Sequence, residues 1–102
     1  MNTQQNTSSN LSIDRHTLLK ATGFVLREQR KKINKSQQDL ADEIQISKTT
    51  ISNIENGIKA PTIDTWFRLF SKLDLDISKS IKLIQLYYEH LNKVGEITSL
   101  KE

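Results

Sequence analysis

Apolar residues recur every three to four positions along most of this 102-residue chain, a spacing typical of amphipathic α-helices. The first such segment begins at Asp14, which can cap a helix, and ends near Ile33. Its apolar positions are Leu18, Leu19, Val25, Leu26 and Ile33. Gly23 within the segment should cost a little stability, and Asn34 after it can take the left-handed conformation that ends a helix.

Two short helices are predicted next, each with its own cap. Ser36 and Asp39 have the spacing of a capping box at the start of a helix that ends near residue 44. Ser47 can cap a third helix over residues 48–56, and Gly57 ends it. The inner positions of the two helices are Leu40, Ala41 and Ile44, then Ile51 and Ile54.

The fourth apolar segment has the clearest helical pattern, because its apolar residues fall at relative positions 0, +3, +4, +7 and +10. These residues are Ile63, Trp66, Phe67, Phe70 and Leu73. Thr62 can cap this helix. Trp66 could stack on a base, but its apolar neighbours in the same stripe favour a place in the core.

The last segment, residues 78–94, carries a heptad-like seam that can pack against another helix. We interpret the seam as a dimer contact formed by Ile81, Ile84, Tyr88 and Leu91. The seam can instead lie on the core of the monomer. A β-strand over residues 81–88 is a further alternative, because Ile and Tyr favour strands.

Together these segments predict an all-α fold, with a compact unit of four to five helices. Residues 14–77 form the main unit, and the helix over residues 78–94 follows it. Residues 1–13 are rich in Asn, Gln, Ser and Thr and contain no Lys or Arg, which favours a disordered tail over a basic arm. Residues 95–102 are predicted to be a flexible tail. A unit this small buries only about 60 to 65% of its unfolded surface, which favours oligomerisation.

Composition argues against several kinds of site. The chain has no cysteine, which excludes disulfides and thiolate metal sites. His16 and His90 are far apart and have no acidic cluster near them, so we expect no metal and no cofactor. No Gly-rich phosphate loop is present and the interior is small, which argues against an enzyme. Without a long apolar run or a signal-peptide pattern, a cytoplasmic protein that does not contact the membrane is expected.

The net charge of +3 is unevenly distributed along the chain. Up to Pro61, nine Lys and Arg residues oppose six Asp and Glu residues, whereas from Thr62 onward six oppose six. The excess is densest between Arg27 and Lys35. Such a cluster can be an ordinary solvated helix face, but beside suitable geometry it favours a polyanion as partner.

The two short helices over residues 36–56 are joined by a turn of three or four residues, and the small side chain of Ala41 allows them to cross closely. This is the layout of a helix-turn-helix, in which the second helix enters the DNA major groove. The outward residues of that second helix are Lys48, Thr49, Ser52 and Asn53. We expect them to contact bases, because Lys can bond guanine, Asn can bond adenine and Thr can contact thymine.

Five short segments occur in the order and at the spacings of a known family. They are residues 26–30 (LREQR), 36–41 (SQQDLA), 46–47 (IS), 50–57 (TISNIENG) and 61–65 (PTIDT). In this region, from Leu26 to Ile77, about half of the chain resembles the phage-repressor and Cro-like (XRE-type) helix-turn-helix family. The resemblance implies a lambda-repressor-like domain that binds double-stranded DNA and regulates transcription.

The resemblance also implies roles for individual residues. The residues expected to contact phosphates are Gln37, Gln38, Arg27, Lys35, Asn56 and Lys59. Ser52 would lie near the DNA backbone at the edge of the base-contacting set. Arg30 would pair with Glu55 and tie the first helix to the end of the third, in a partly buried pair rather than an exposed one of little energetic value.

The chain departs from the family pattern at three turns where glycine is usual, which here hold Asn34, Gln45 and Asp74. Asn and Asp tolerate a positive φ, whereas Gln does so at a cost of about 1 kcal/mol. A rearranged turn is therefore expected at Gln45. Lys35 replaces the usual apolar residue before the second helix, which removes a hydrophobic staple and adds charge near the DNA backbone.

The first functional hypothesis is a homodimeric repressor that occupies an operator and reads two half-sites about 34 Å apart. The alternative rests on the helix that contains Trp66 and Phe67 and on the short chain, which also resemble HipB-like antitoxins. Such a protein would bind a toxin as well as DNA and autoregulate its operon. The last helix could then contact either a sister subunit or the toxin.

Overall fold

The structure is a computed structural model that describes the backbone of residues 13–101 and the side chains of residues 13–95. That part of the chain contains no strand and has the helices α1 (Arg15–Lys32), α2 (Gln37–Ile44), α3 (Lys48–Glu55), α4 (Ile63–Lys72) and α5 (Ile77–Lys101). The all-α prediction is therefore confirmed. The predicted disordered tail lies outside the described residues, apart from Ile13.

Hydroxyl side chains cap the starts of α2, α3 and α4, at the residues that the sequence indicates. The capping box of α2 is complete, because Ser36 Oγ accepts from the Asp39 N–H at 2.9 Å and the Ser36 N–H donates to Asp39 Oδ2 at 3.4 Å. Ser47 and Thr62 each accept from the N–H three residues further on, at 3.0 and 3.2 Å. These bonds fix the first turns of the short helices.

The start of α1 differs from the prediction. Asp14 occupies the cap position, but its side chain makes no capping hydrogen bond. Its carboxylate instead accepts from the Thr17 hydroxyl, and this bond lowers the pKa of Asp14 below its ordinary value. The Asp14 N–H donates to the Tyr88 hydroxyl at 2.9 Å, which joins the start of α1 to α5.

Four turns that end helices contain a residue with positive φ, namely Asn34 (61°), Gln45 (61°), Gly57 (73°) and Asp74 (56°). In each turn the following N–H donates to a carbonyl five residues earlier, as in the bond of 3.0 Å from Ile46 to Ala41. This is the Schellman arrangement. The rearranged turn expected at Gln45 is therefore wrong: the ordinary turn is kept, with glutamine in a left-handed conformation that costs it about 1 kcal/mol.

The core lies between α1, α2, α3 and α4. Its buried members are Leu26, Leu40, Ala41, Ile44, Ile51, Ile54, Leu69 and Leu73. Trp66 is half-buried at the edge of this cluster, where its ring stacks on Phe70 with centroids 5.0 Å apart. The expectation that Trp66 packs rather than projects is therefore consistent with the structure.

Helix α5 packs along α1. The strand alternative for residues 81–88 is wrong, because these residues are helical. Tyr87 stacks on Phe24 of α1 with ring centroids 4.2 Å apart, and the buried Ser80 donates to the Asp76 carbonyl at 2.7 Å. The helix continues to Lys101, past residue 94 where the sequence places its end.

Gly23 is the point where α1 meets the end of α3. A Cβ atom at this position would lie 2.4 Å from the carbonyl oxygens of both Ile54 and Glu55. The mild cost that the sequence assigns to Gly23 therefore misses its role. Glycine is needed here because two backbones touch, and a glycine inside an otherwise regular helix was the available signal.

Candidate nucleic-acid interface

Helix α3 separates an apolar inner side from a polar outer side. Ile51 and Ile54 are both 2% exposed and belong to the core. Lys48 and Thr49 in the first turn are exposed, and Ser52 and Asn53 in the second turn are half-buried. The structure therefore brings the four residues expected to contact bases onto the outer side of one helix that follows a short turn after α2.

The residues expected to contact phosphates lie at both ends of this unit. Asn56 and Lys59 are exposed after α3, and the Asn56 amide donates to Ser52 Oγ at 3.3 Å. At the start of α2, Gln37 donates to Glu55 Oε1 at 2.9 Å, and Gln38 donates to Asp42 Oδ1 at 2.9 Å. In both glutamines the amide nitrogen donates a hydrogen bond within the protein, whereas the amide oxygen is not used in these bonds.

Arg30 and Glu55 form a buried, two-pronged ion pair. Arg30 Nε lies 2.6 Å from Glu55 Oε2, and Nη2 donates to Oε1 at 3.0 Å. Arg30 Nη1 also donates to the Lys35 carbonyl at 2.8 Å. The hydrogen bond to Glu55 raises the pKa of Arg30, although burial opposes the shift. With Gln37 on the same carboxylate, the pair joins α1, α2 and the end of α3, and so fixes the orientation of α3.

The basic cluster between residues 27 and 35 does not form one surface. Arg30 is buried against Glu55, and the Lys35 ammonium donates to Glu43 Oε1 and to the Lys72 carbonyl, both at 2.7 Å. Lys31 and Lys32 line a groove between α1 and α5. Of the two cations expected to contact phosphates from this cluster, Lys35 already has two partners, and Arg27 lies beside Asn56 in a small cavity. Proximity in sequence therefore overstates the local positive charge at α3.

The residues expected to form a dimer contact divide between two environments. Ile81 is 58% exposed, whereas Ile84, Tyr88 and Leu91 are half-buried beside it. Ile81 and Ile84 line a groove of about 330 Å³ between α4 and α5. Its other apolar members include Ile63, Trp66, Phe67, Phe70 and Ile77, of which Ile63, Phe67 and Ile77 are exposed. The sequence did not single out Ile63 and Phe67 for this contact, because the helical spacing of their segment indicated core positions.

The fold and this geometry define a helix-turn-helix unit, with a capped second helix that carries a polar outer side. Residues 26–79 match the family model described as "Helix-turn-helix". Because the match covers more than half of the chain, the chain belongs to the helix-turn-helix family of transcriptional regulators, in its phage-repressor and Cro-like (XRE-type) branch.

Several solved structures share the fold. ClgR, the clp gene regulator of Corynebacterium glutamicum, has a TM-score of 0.75 at 17% identity, over 81% of this chain and 88% of its own. The restriction-modification controller protein C.Esp1396I, solved as a tetramer with its natural 35 base-pair operator, has a TM-score of 0.62 at 24% identity, over 70% of this chain and 93% of its own.

Among curated proteins, the transcriptional repressor RstR of the cryptic phage CTXphi, from Vibrio cholerae serotype O1, is 39% identical over 54 residues, which are 53% of this chain. The chain spans 48% of the length of RstR and 22% of a second relative, from Methanococcoides burtonii, which is 34% identical over 70 residues. None of the described helices is long and apolar enough to cross a membrane.

Proposed function

We propose that this protein is a homodimeric repressor that binds double-stranded DNA with sequence specificity. The observation that carries the proposal is the outer side of α3, where Lys48, Thr49, Ser52 and Asn53 are free of the core. Support also comes from the relationship to a phage repressor and from the fold shared with a controller protein solved on its operator. These relatives are a repressor and a controller by name, and neither is an antitoxin by name.

In the proposed complex α3 lies in the major groove, and its first turn is closest to the base edges. Lys48 would donate to guanine, and Asn53 would form a paired hydrogen bond with adenine. Gln37, Gln38, Asn56 and Lys59 would contact phosphates on either side, with Arg27 joining them and Lys35 contributing only if it leaves Glu43. Such contacts position the protein without reading sequence.

The binding site is best found by selecting duplexes from a random pool with purified protein, followed by gel-shift titration against a scrambled duplex. We expect the double variant Lys48→Ala/Asn53→Ala to lose most of the discrimination, because each base contact contributes about 1–3 kcal/mol. Its circular dichroism should be unchanged, since neither side chain supports the core. A matched control is Lys82→Ala/Gln85→Ala on the exposed side of α5, which should bind like the wild type.

Equal affinity of the wild-type protein for selected and scrambled duplexes would refute sequence-specific binding. Loss of discrimination in the α5 control to the same extent would show that α3 does not read the bases.

We place the dimer contact on the apolar surface formed by Ile63, Phe67, Ile77 and Ile81. These four side chains are between 42% and 73% exposed and border one groove, whereas Ile84, Tyr88 and Leu91 of the predicted seam are half-buried. Exposed apolar surface of this kind marks an interaction site in a soluble protein. A two-fold axis through the surface would bring the same residues of two subunits together.

Sedimentation equilibrium tests the dimer. Ile81→Asp should shift the protein to monomer and weaken operator binding, because it buries a charge in the contact. Leu83→Asp is the matched control: Leu83 is 51% exposed on the same helix, two residues away and so about 200° around its axis. A monomeric wild-type protein, or equal effects of both variants, would contradict this contact.

A further inference from the structure

A small cavity of about 200 Å³ lies beside the C-terminal end of α3, between α1 and α5. Its polar lining consists of Lys20, Arg27, Asn56 and Glu55, and the rings of Phe24 and Tyr87 are among its apolar walls. Two cations thus converge on one cavity at the end of the helix that we propose reads DNA.

The one carboxylate in the lining does not neutralise these cations. Glu55 Oε2 accepts from Arg30, and Oε1 accepts from both Arg30 and Gln37. Within residues 13–95, the Lys20 ammonium has no hydrogen-bond or ion-pair partner, and the Nε of Arg27 is buried without an acceptor. Buried donors normally have a hydrogen-bond partner. An acceptor from outside the described chain would supply one to Arg27 Nε in this cavity.

The position of Lys20 is fixed by packing rather than by charge. A Cβ atom at Gly57 would lie 2.8 Å from Lys20 Cγ and 2.9 Å from its Cα, so the turn after α3 rests directly on this residue. Arg27 follows seven residues, or about two turns, later on the same side of α1. Lys20, Arg27 and Asn56 are therefore held together by the contact between α1 and the end of α3.

We propose that Lys20, Arg27 and Asn56 form a single site for one phosphate group. The two cations supply charge and the Asn56 amide supplies a neutral donor, which is the set of groups that contact phosphates in DNA complexes. The proposal rests on the proposed function and extends it, because it adds Lys20 and makes three separate residues one site. The phosphate can belong to the DNA backbone that passes the end of α3, or it can be a free phosphate.

Lys20→Gln removes the charge but keeps the methylene groups that pack on Gly57. Its matched control is Lys32→Gln, which removes a charge from the same helix on the groove that faces α5. Both variants are measured in two ways. The first is operator affinity as a function of salt concentration. The second is titration of the free protein with inorganic phosphate against chloride at equal ionic strength, followed by the amide resonances of Lys20, Asn56 and Gly57.

If the phosphate belongs to DNA, Lys20→Gln reduces the slope of log affinity against log salt by about 0.9 per subunit contact. For one contact, the ratio of wild-type to variant affinity then falls about 3.5-fold between 50 and 200 mM salt. The preference for operator over scrambled DNA stays unchanged. If the phosphate is free, saturable shifts occur in the wild type and in Lys32→Gln but not in Lys20→Gln.

The site is refuted if Lys20→Gln changes neither measurement, or if Lys32→Gln changes the salt slope equally, since total charge would then be the cause. Failure of the wild type to discriminate operator from scrambled DNA would instead refute the proposed function. The titration with inorganic phosphate would still report on the site in that case.

Discussion

Replacing Gly23 by alanine tests whether the contact between α1 and α3 sets the position of the proposed recognition helix. The new Cβ atom would lie 2.4 Å from two carbonyl oxygens, about 1 Å closer than the ordinary contact that begins near 3.4 Å. The atoms it meets belong to the backbone of Ile54 and Glu55, so no side chain can rotate away. The two helices must therefore separate.

The change in the free energy of unfolding is the sum of two opposing contributions. Overpacking of a well-packed interior typically costs about 1–3 kcal/mol, and a clash with backbone lies at or above the upper end of this range. Alanine returns about 1 kcal/mol through its better helix propensity. We therefore expect a net loss of about 2 kcal/mol, which corresponds to a fall in Tm of roughly 8–16 °C for a domain of this size.

Urea and thermal unfolding followed by circular dichroism measure this loss. Gly95→Ala is a direct control, because Gly95 lies in α5 with nothing within 4 Å of the added Cβ. That variant receives only the propensity term and should be more stable by up to about 1 kcal/mol. We therefore expect Gly23→Ala to destabilise the fold and Gly95→Ala to stabilise it. A Gly23→Ala protein as stable as the wild type would refute a backbone contact between α1 and α3.

Three further predictions concern stability. Gln45→Gly relieves a left-handed glutamine and should stabilise the fold by up to about 0.6 kcal/mol in urea unfolding, after the entropy of glycine in the unfolded chain is subtracted; Asn34→Gly, at the same φ of 61°, should gain less. Glu55→Gln breaks the buried pair with Arg30 and should cost about 3 kcal/mol, whereas Arg30→Met/Glu55→Met should recover most of the loss. Because the pKa of Arg30 is raised, its contribution to stability is present below the pKa of the unfolded state and is lost only as the pH rises through the pKa of the folded state. The loss of stability in Glu55→Gln should therefore be constant around neutral pH. Ser36→Ala removes the capping bond of 2.9 Å and should cost about 1 kcal/mol, and an unchanged midpoint would contradict the capping role.

Helix starts were predictable from the sequence because their signals are local. The caps at Ser36, Ser47 and Thr62 depend on bonds to the residue three positions on, so a short stretch of sequence contains the whole interaction. The same reasoning failed at Asp14, where Thr17 competes for the carboxylate and Tyr88 comes from a distant helix. The end of α5 was also missed, because the helix continues through Gly95, a residue type that ordinarily marks a helix end.

Contacts between distant residues were not accessible to pattern and spacing. The partners of Lys35 are Glu43 and the carbonyl of Lys72, which become neighbours only after α2 and α4 pack. The pairing of Arg30 with Glu55 was expected only through the family resemblance. The dispersal of the basic cluster has a second, local cause, because successive residues on a helix point in different directions.

Lys48, Thr49 and Asn53 make no side-chain hydrogen bond or ion pair within the described part of the chain, while α3 is held by Ile51, Ile54 and Glu55. Substitutions of Lys48, Thr49 or Asn53 should therefore change the stability of the fold very little. In the DNA complex that we propose, binding preference could therefore change through these three residues while the scaffold stays intact.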